Sequence, residues 1–301
     1  MEHNALESNA MPKLVQCYCG LRLSLNQKWR DEFSELMTRE NVVELSIGPD
    51  YPVEYGLGFL KRVPTISGFY INNLRLKSLE GIESLTNLTQ IDLSDYSDQS
   101  VDFSCFPNLQ GCRLEFNKSR SSVFSLSNLK RLELIHYPYR DLTPLVPLTN
   151  LRSLSLSQGS LQNIDLIREF HNLEELRLNF FPKLANFQPI SSCTKITWLD
   201  LDRMKGLCNL GSLNGLVNLR QLDISNCGKI QSLAPLKEFS NLEVVRFIEN
   251  TFIEDGDVRA LLELPNLKVV RFMNRKDYNL RREEFPGYPG DGRYIQWTSR
   301  F

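Results

Sequence analysis

Histidine, the side chain best suited to proton transfer near neutral pH, occurs only as His3, His136 and His171, and none of the three pairs with an evident nucleophile. The chain has no Gly-x-Ser-x-Gly, no Gly-x-x-x-x-Gly-Lys-Ser/Thr and no His-Glu-x-x-His. It therefore lacks the signatures of a nucleophile elbow, a phosphate cradle and a zinc-protease helix. Cys17-Tyr18-Cys19 is the one close cysteine pair. A metal or redox site calls for the wider C-x-x-C spacing or a second pair nearby, so two thiols on a strand is the favoured reading. Asp200 and Asp202 resemble a metal pair, but alternate residues of a strand share a face, and a solvated or partner-facing pair is favoured over an ion site. The expectation is a chain with no catalytic centre, no metal and no cofactor.

The bulk properties narrow the partner class. Thirty-five basic and thirty-six acidic residues leave a net charge of -1 over 301 residues, which provides no overall attraction for nucleic acid or an anionic membrane. No apolar run approaches the roughly eighteen residues of a membrane span. The opening Met1-Glu2-His3-Asn4 lacks the basic-then-apolar pattern of a signal peptide, so a cytoplasmic address is expected. Seven scattered cysteines, an odd number, suit free buried thiols better than a disulfide framework. Residues 1–11 read as a leader, in which Ser8-Asn9-Ala10 resembles a tag-cleavage remnant.

What organises the rest is a repeat. Alignment on Asn-Leu-x-x-Leu-x-Leu gives eleven units that begin at Val42, Ile66, Leu88, Leu109, Leu129, Leu151, Leu173, Ile196, Leu219, Leu242 and Leu267, spaced 20 to 25 residues apart. Such a period marks stacked units, each burying its apolar face only against its neighbours. Apolar positions one, four and six, as in Leu151, Leu154 and Leu156, predict a short strand with alternate side chains facing the core. Asn precedes position one in nine of the eleven units, where it can bond the backbone at a corner. Apolar residues three apart on the return, as in Leu142-Leu145-Leu148, Leu210-Leu213-Leu216 and Leu233-Leu236-Phe239, predict 3₁₀ turns. Pro144, Pro189 and Pro235 sit near their starts, where a missing N–H costs nothing.

Leu-x-x-Leu-x-x-Leu-x-Asn-Leu-x-x-Leu-x-Leu resembles the leucine-rich-repeat family, in its short, bacterial, internalin-like form. The resemblance implies an α/β-type repeat solenoid: a curved array with a parallel concave β-sheet, a convex side of 3₁₀ and short-helix segments, and a cap at each end. Residues 12–40 are expected to form the N-terminal cap, with strands at Leu14-Val15 and 21–25 and a helix over 30–37. Residues 41–276 form the array and 277–301 the C-terminal cap. In the family, an inward Asn or Cys ladder follows the last strand leucine by three residues. Here only Cys227 and Asn250 occupy it, while Tyr96, Tyr137, Phe181 and Met204 stand elsewhere, so irregular or bulged loops are expected there.

Strand positions three, five and seven point away from the core. Parallel strands about 4.8 Å apart make eleven units into a sheet on the order of 50 Å long, which suits a protein partner contacting roughly 800 Å² per side. Position five runs from mixed to acidic to basic, ending with Arg177, Asp200, Asp223, Arg246 and Arg271. Beside it stand Trp198, Val244 and Val269 at position three and Ile248 and Met273 at position seven. An apolar cluster flanked by arginines has the composition of an interface centre. The candidate partner-binding residues are therefore Arg177, Trp198, Arg246, Ile248, Arg271 and Met273, with Asp200, Asp202 and Asp223 facing a basic patch of the partner. The alternative reading is that the C-terminal tail covers Val244, Val269 and Met273 as part of its own cap.

Residues 247–257, with 264–267 and 274–278, are similar to short bacterial leucine-rich-repeat proteins encoded beside secreted polymorphic toxins. That resemblance implies an immunity protein: a non-catalytic module that binds a cognate toxin domain, with the oligomeric state left open. A regulatory scaffold of the phosphatase-binding kind and a secreted host-protein-binding effector or adhesin are the alternatives.

Overall fold

The computed structural model describes residues 11–72, 76, 78–94 and 99–285. They divide at Asn128 into two compact units. In the first, β1 (Lys13–Cys17) turns back at Gly20 onto β2 (Gly20–Leu25) as an antiparallel hairpin. The helix α1 (Glu32–Arg39) then leads to β3 (Val42–Ile47), which lies parallel to β2. The helix begins two residues later than the sequence suggests. Phe33, Leu36 and Met37 form its buried face. Asp31, at its N-cap, makes no capping bond and pairs instead with Arg62. From β3 the repeats run through β4 (Gly68–Ile71), β5 (Gln90–Leu93) and β6 (Gly111–Glu115), each parallel to its predecessor.

The second unit carries β7 (Arg131–Ile135), β8 (Ser153–Ser157), β9 (Glu175–Asn179), β10 (Trp198–Asp202), β11 (Gln221–Ser225), β12 (Gly228–Ile230), β13 (Val244–Ile248), β14 (Thr251–Ile253) and β15 (Val269–Phe272). Seven of them form parallel ladders in the order β7-β8-β9-β10-β11-β13-β15, while β12 and β14 pair separately. Equivalent repeat positions meet: Leu132, Leu154, Leu176, Leu199, Leu222 and Val245 form one buried row. A side-chain period of two allows no slip of register without turning that row out to water.

The corners form as their residue types dictate. Asn128, Asn218, Asn241 and Asn266 each donate their side-chain amide to a carbonyl one repeat back, at Pro107, Thr194, Val217 and Ser240. Each such bond contributes about 1 kcal/mol and recurs with the repeat. The returns are 3₁₀ turns, with Pro144, Pro189 and Pro235 at their second positions.

The loops after the strands depart from expectation. Tyr137, Phe181 and Met204 stand where the ladder Asn or Cys is absent, yet they turn inward and are fully buried. The residue before each, His136, Phe180 or Arg203, adopts the same left-handed backbone as Gln158, Asn226 and Glu249 in the other repeats. The loops are therefore regular. Gln158, Phe180, Arg203 and Asn226 each donate their N–H to the last strand carbonyl of the next repeat, at Asn179, Asp202, Ser225 and Ile248. Stacking thus imposes a conformation that costs a non-glycine residue about 1–2 kcal/mol. Gly159 is required for a different reason: a Cβ there would overlap the Tyr137 carbonyl oxygen. Asn250 is exposed, and it is Thr251 that turns in, its hydroxyl accepting from the Cys227 N–H.

At the last repeat Phe272 stacks on Phe247 with centroids 4.9 Å apart, and Tyr278 and Phe285 pack edge-on against it. Tyr278 and Phe285 thereby bury the Phe272 end of β15, while Leu267 and Val270 stay half-buried. The rest of the C-terminal segment, 286–301, lies outside the described residues, as do residues 1–10 and Tyr96. All seven cysteines are free, but only Cys112, Cys193 and Cys227 are buried. Among the described residues no helix is long and apolar enough to cross a membrane.

Candidate protein-binding face

Three rows of side chains stand on the outer face of the second unit. Position three aligns Ser153, Glu175, Trp198, Gln221, Val244 and Val269; position five aligns Ser155, Arg177, Asp200, Asp223, Arg246 and Arg271. Position seven carries Asn179, Asp202, Ser225 and Ile248, with Met273 just past β15.

The structure joins five of the nine candidate residues into one network. Asp223 is its hub. It accepts from the Trp198 indole Nε1–H at 2.8 Å, from the Gln221 amide at 2.5 Å and from the Arg246 guanidinium at 3.0 Å. Arg177 lies 5.3 Å from the Trp198 ring and pairs with Glu133 at 3.3 Å. Asp200 sits between Arg177 and Asp223. Burial, reinforced by the neighbouring Asp223 carboxylate, pushes its pKa up to about 7.

Asp223 is buried and engaged within the fold, so the row that reads as acidic in sequence presents far less free charge than expected. Strands about 4.8 Å apart bring oppositely charged neighbours into contact, and they neutralise each other before any partner arrives. Asp202 stands one row away, bonded by Asn226 and close to Arg203. Among the described residues no group of three or more His, Cys, Asp or Glu side chains is placed to hold a metal.

The apolar part of the face is also smaller than its composition suggests. Met273 is exposed, whereas Trp198, Ile248 and Val269 are half-buried and Val244 is buried. Neighbouring rows cover them: a residue that points outward on a strand still has a side chain on either side. Arg271 stands in register with Arg246 at the C-terminal end of the row.

Sequence reasoning missed a hollow at the first residues of β9, β10, β11 and β13. Glu175, Trp198, Arg220, Gln221, Glu243 and Val244 line it. The repeat alignment places Glu175 and Gln221 in the same row as Trp198, but a search of that row for large apolar residues passes over them.

This row-and-corner pattern can be compared with known proteins. No family model matches the chain. It is similar to the internalin InlF of Listeria monocytogenes, with a TM-score of 0.54 and 16% identity over 85% of this chain and 83% of that one. The chain has the leucine-rich-repeat fold. A second Listeria monocytogenes structure, internalin C2, matches at a TM-score of 0.49 and 23% identity, over 63% of this chain and 83% of that one. Among curated proteins, the disease resistance protein RPS4B of Arabidopsis thaliana is 24% identical over 198 residues, 57% of this chain. The matched part spans only 17% of that relative's length.

Proposed function

We propose that this chain is a non-catalytic protein-binding module that uses the outer face of β9 to β15, and that it serves as a bacterial immunity protein by covering or immobilising a cognate toxin domain. The carrying observation is the Trp198–Asp223–Arg246 network, which holds an aromatic and an arginine in fixed poses. A rigid aromatic and arginine pair loses little conformational entropy on binding and is the composition of interface hot spots. Arg271, Ile248 and Met273 extend the contact on its C-terminal side, with Asp200 and Asp202 beside it.

The toxin assignment rests on the resemblance of residues 247–257, 264–267 and 274–278 to leucine-rich-repeat proteins encoded beside secreted toxins. In the same reading, residues 12–40 and 277–301 are caps that keep the first and last repeats from pairing with other chains, and the address is cytoplasmic.

Co-expression with the protein encoded by the neighbouring gene, followed by affinity capture and mass spectrometry, tests the proposal. Stoichiometric capture of that neighbour, lost on Trp198→Ala or Arg271→Ala, is the expected result. Capture of a phosphatase or a host surface protein, with the neighbour ignored, overturns the immunity assignment in favour of a scaffold or an effector.

A further inference from the structure

The hollow beside Trp198 has a volume of about 160 Å³, enough for one side chain. Its walls are the Trp198 ring and Val244, and its polar groups are mostly acceptors. Gln221 is only 4% exposed. Its Nε2 donates to Asp223, while its Oε1 is buried without a hydrogen-bond partner among the described residues. Turning the amide over would set its oxygen against the Asp223 carboxylate, so the orientation is fixed. A buried carbonyl left unpaired costs free energy that an incoming donor recovers.

The charges point the same way. Glu243 is held by Arg220 at 2.5 Å and Lys268 at 2.8 Å, and these partners keep its carboxyl below the usual range, Lys268 most of all. Arg220 is correspondingly engaged. Glu175, on the opposite wall, accepts only the Ser153 hydroxyl among the described residues. It is the uncompensated charge of the hollow.

We propose that this hollow receives a lysine side chain of the protein partner, its stem between Trp198 and Val244 and its ammonium on Gln221 Oε1 and the Glu175 carboxylate. The two acceptors belong to different side chains, on the strands either side of β10. That divided arrangement suits a compact ammonium with three rotatable donors better than a guanidinium, whose planar fork favours one carboxylate. The aliphatic stem buries against the apolar walls while the charge stays at the acceptors. The inference rests on the reading of this face as a partner surface.

The test is a titration of the intact ¹⁵N-labelled chain with N-acetyl-lysine methylamide, following the Trp198 indole N–H resonance assigned by its loss in Trp198→Phe. A saturable shift in the millimolar range is expected for so small a ligand, with N-acetyl-norleucine methylamide at least about ten-fold weaker. Glu175→Gln and Gln221→Leu should each weaken the lysine amide about five- to ten-fold. Because Glu175 is only half-buried, its variant remains informative if the Gln221 one misfolds. No saturable shift overturns the proposal. An equal shift with the norleucine amide overturns it too, making the hollow a plain apolar recess. Either failure leaves the proposed function standing if a partner is still captured through Trp198 and Arg271, and a positive titration stands even where no partner is captured.

Discussion

Trp198 donates its indole N–H to the Asp223 carboxylate of the neighbouring strand at 2.8 Å, tying the row that begins the strands to the row at their centre. The same carboxylate accepts from Arg246 on its other side. One buried acid thus fixes the poses of the two side chains most characteristic of protein interfaces.

Removing that bond separates pose from presence. Trp198→Phe keeps a ring but withdraws one of three donors to Asp223, and should cost about 1 kcal/mol of stability in urea titrations. Trp198→Ala removes the ring as well. It should lower partner affinity about 30-fold or more by calorimetry, in line with an interface hot spot. An unchanged affinity for the Ala variant removes Trp198 from the interface.

Asp223 and Arg246 are only 11% and 15% exposed in their side chains, so each alone would be a poorly solvated charge. Asp223→Leu and Arg246→Met should each destabilise by about 2–4 kcal/mol, and the double variant by clearly less than their sum. A coupling energy of about 1 kcal/mol or more in the double-mutant cycle is expected. Strict additivity shows that the pair does not act together.

Asp200 gives a pH signature. Its pKa in the fold, about 7, lies above the value of about 4 in an unfolded chain. Between these values the folded state holds more protons, so this group's contribution to stability is intact below pH 4, is lost as pH rises towards 7, and is level above. Asp200→Asn should therefore stabilise the chain by on the order of 1–3 kcal/mol at pH 8, after allowance for its partial exposure, and by nearly nothing at pH 4. Urea midpoints of variant and parent at the two pH values measure this difference. Equal differences at both would show that the carboxyl ionises normally.

Gly159→Ala tests the packing of the loops. The added methyl would meet the Tyr137 carbonyl oxygen of the preceding repeat, and forcing the two apart should cost about 3 kcal/mol. An unchanged thermal midpoint would mean that the loops adjust independently of one another.

Much of the architecture was legible from one residue type at one period. Leu154 and Leu156 turn inward, Asn218 and Asn241 bond the preceding corner, and Pro189 takes the second position of a 3₁₀ turn, all of which follow from backbone chemistry local to a repeat. The candidate site was legible only as rows. Position five could be listed as Arg177, Asp200, Asp223, Arg246 and Arg271, but the hub role of Asp223, the burial of Val244 and the open acceptor of Gln221 could not.

The division has one physical cause. Periodicity, turn preference and inward patterning are properties of neighbours along the chain, and the sequence by itself determined them. The regular loops around Tyr137 and Phe181, the neutralised charge row and the hollow beside Trp198 depend on neighbours some 20 to 25 residues away. Stacking brings those residues to about 4.8 Å, and only the tertiary structure decided which charges meet there and which are left over.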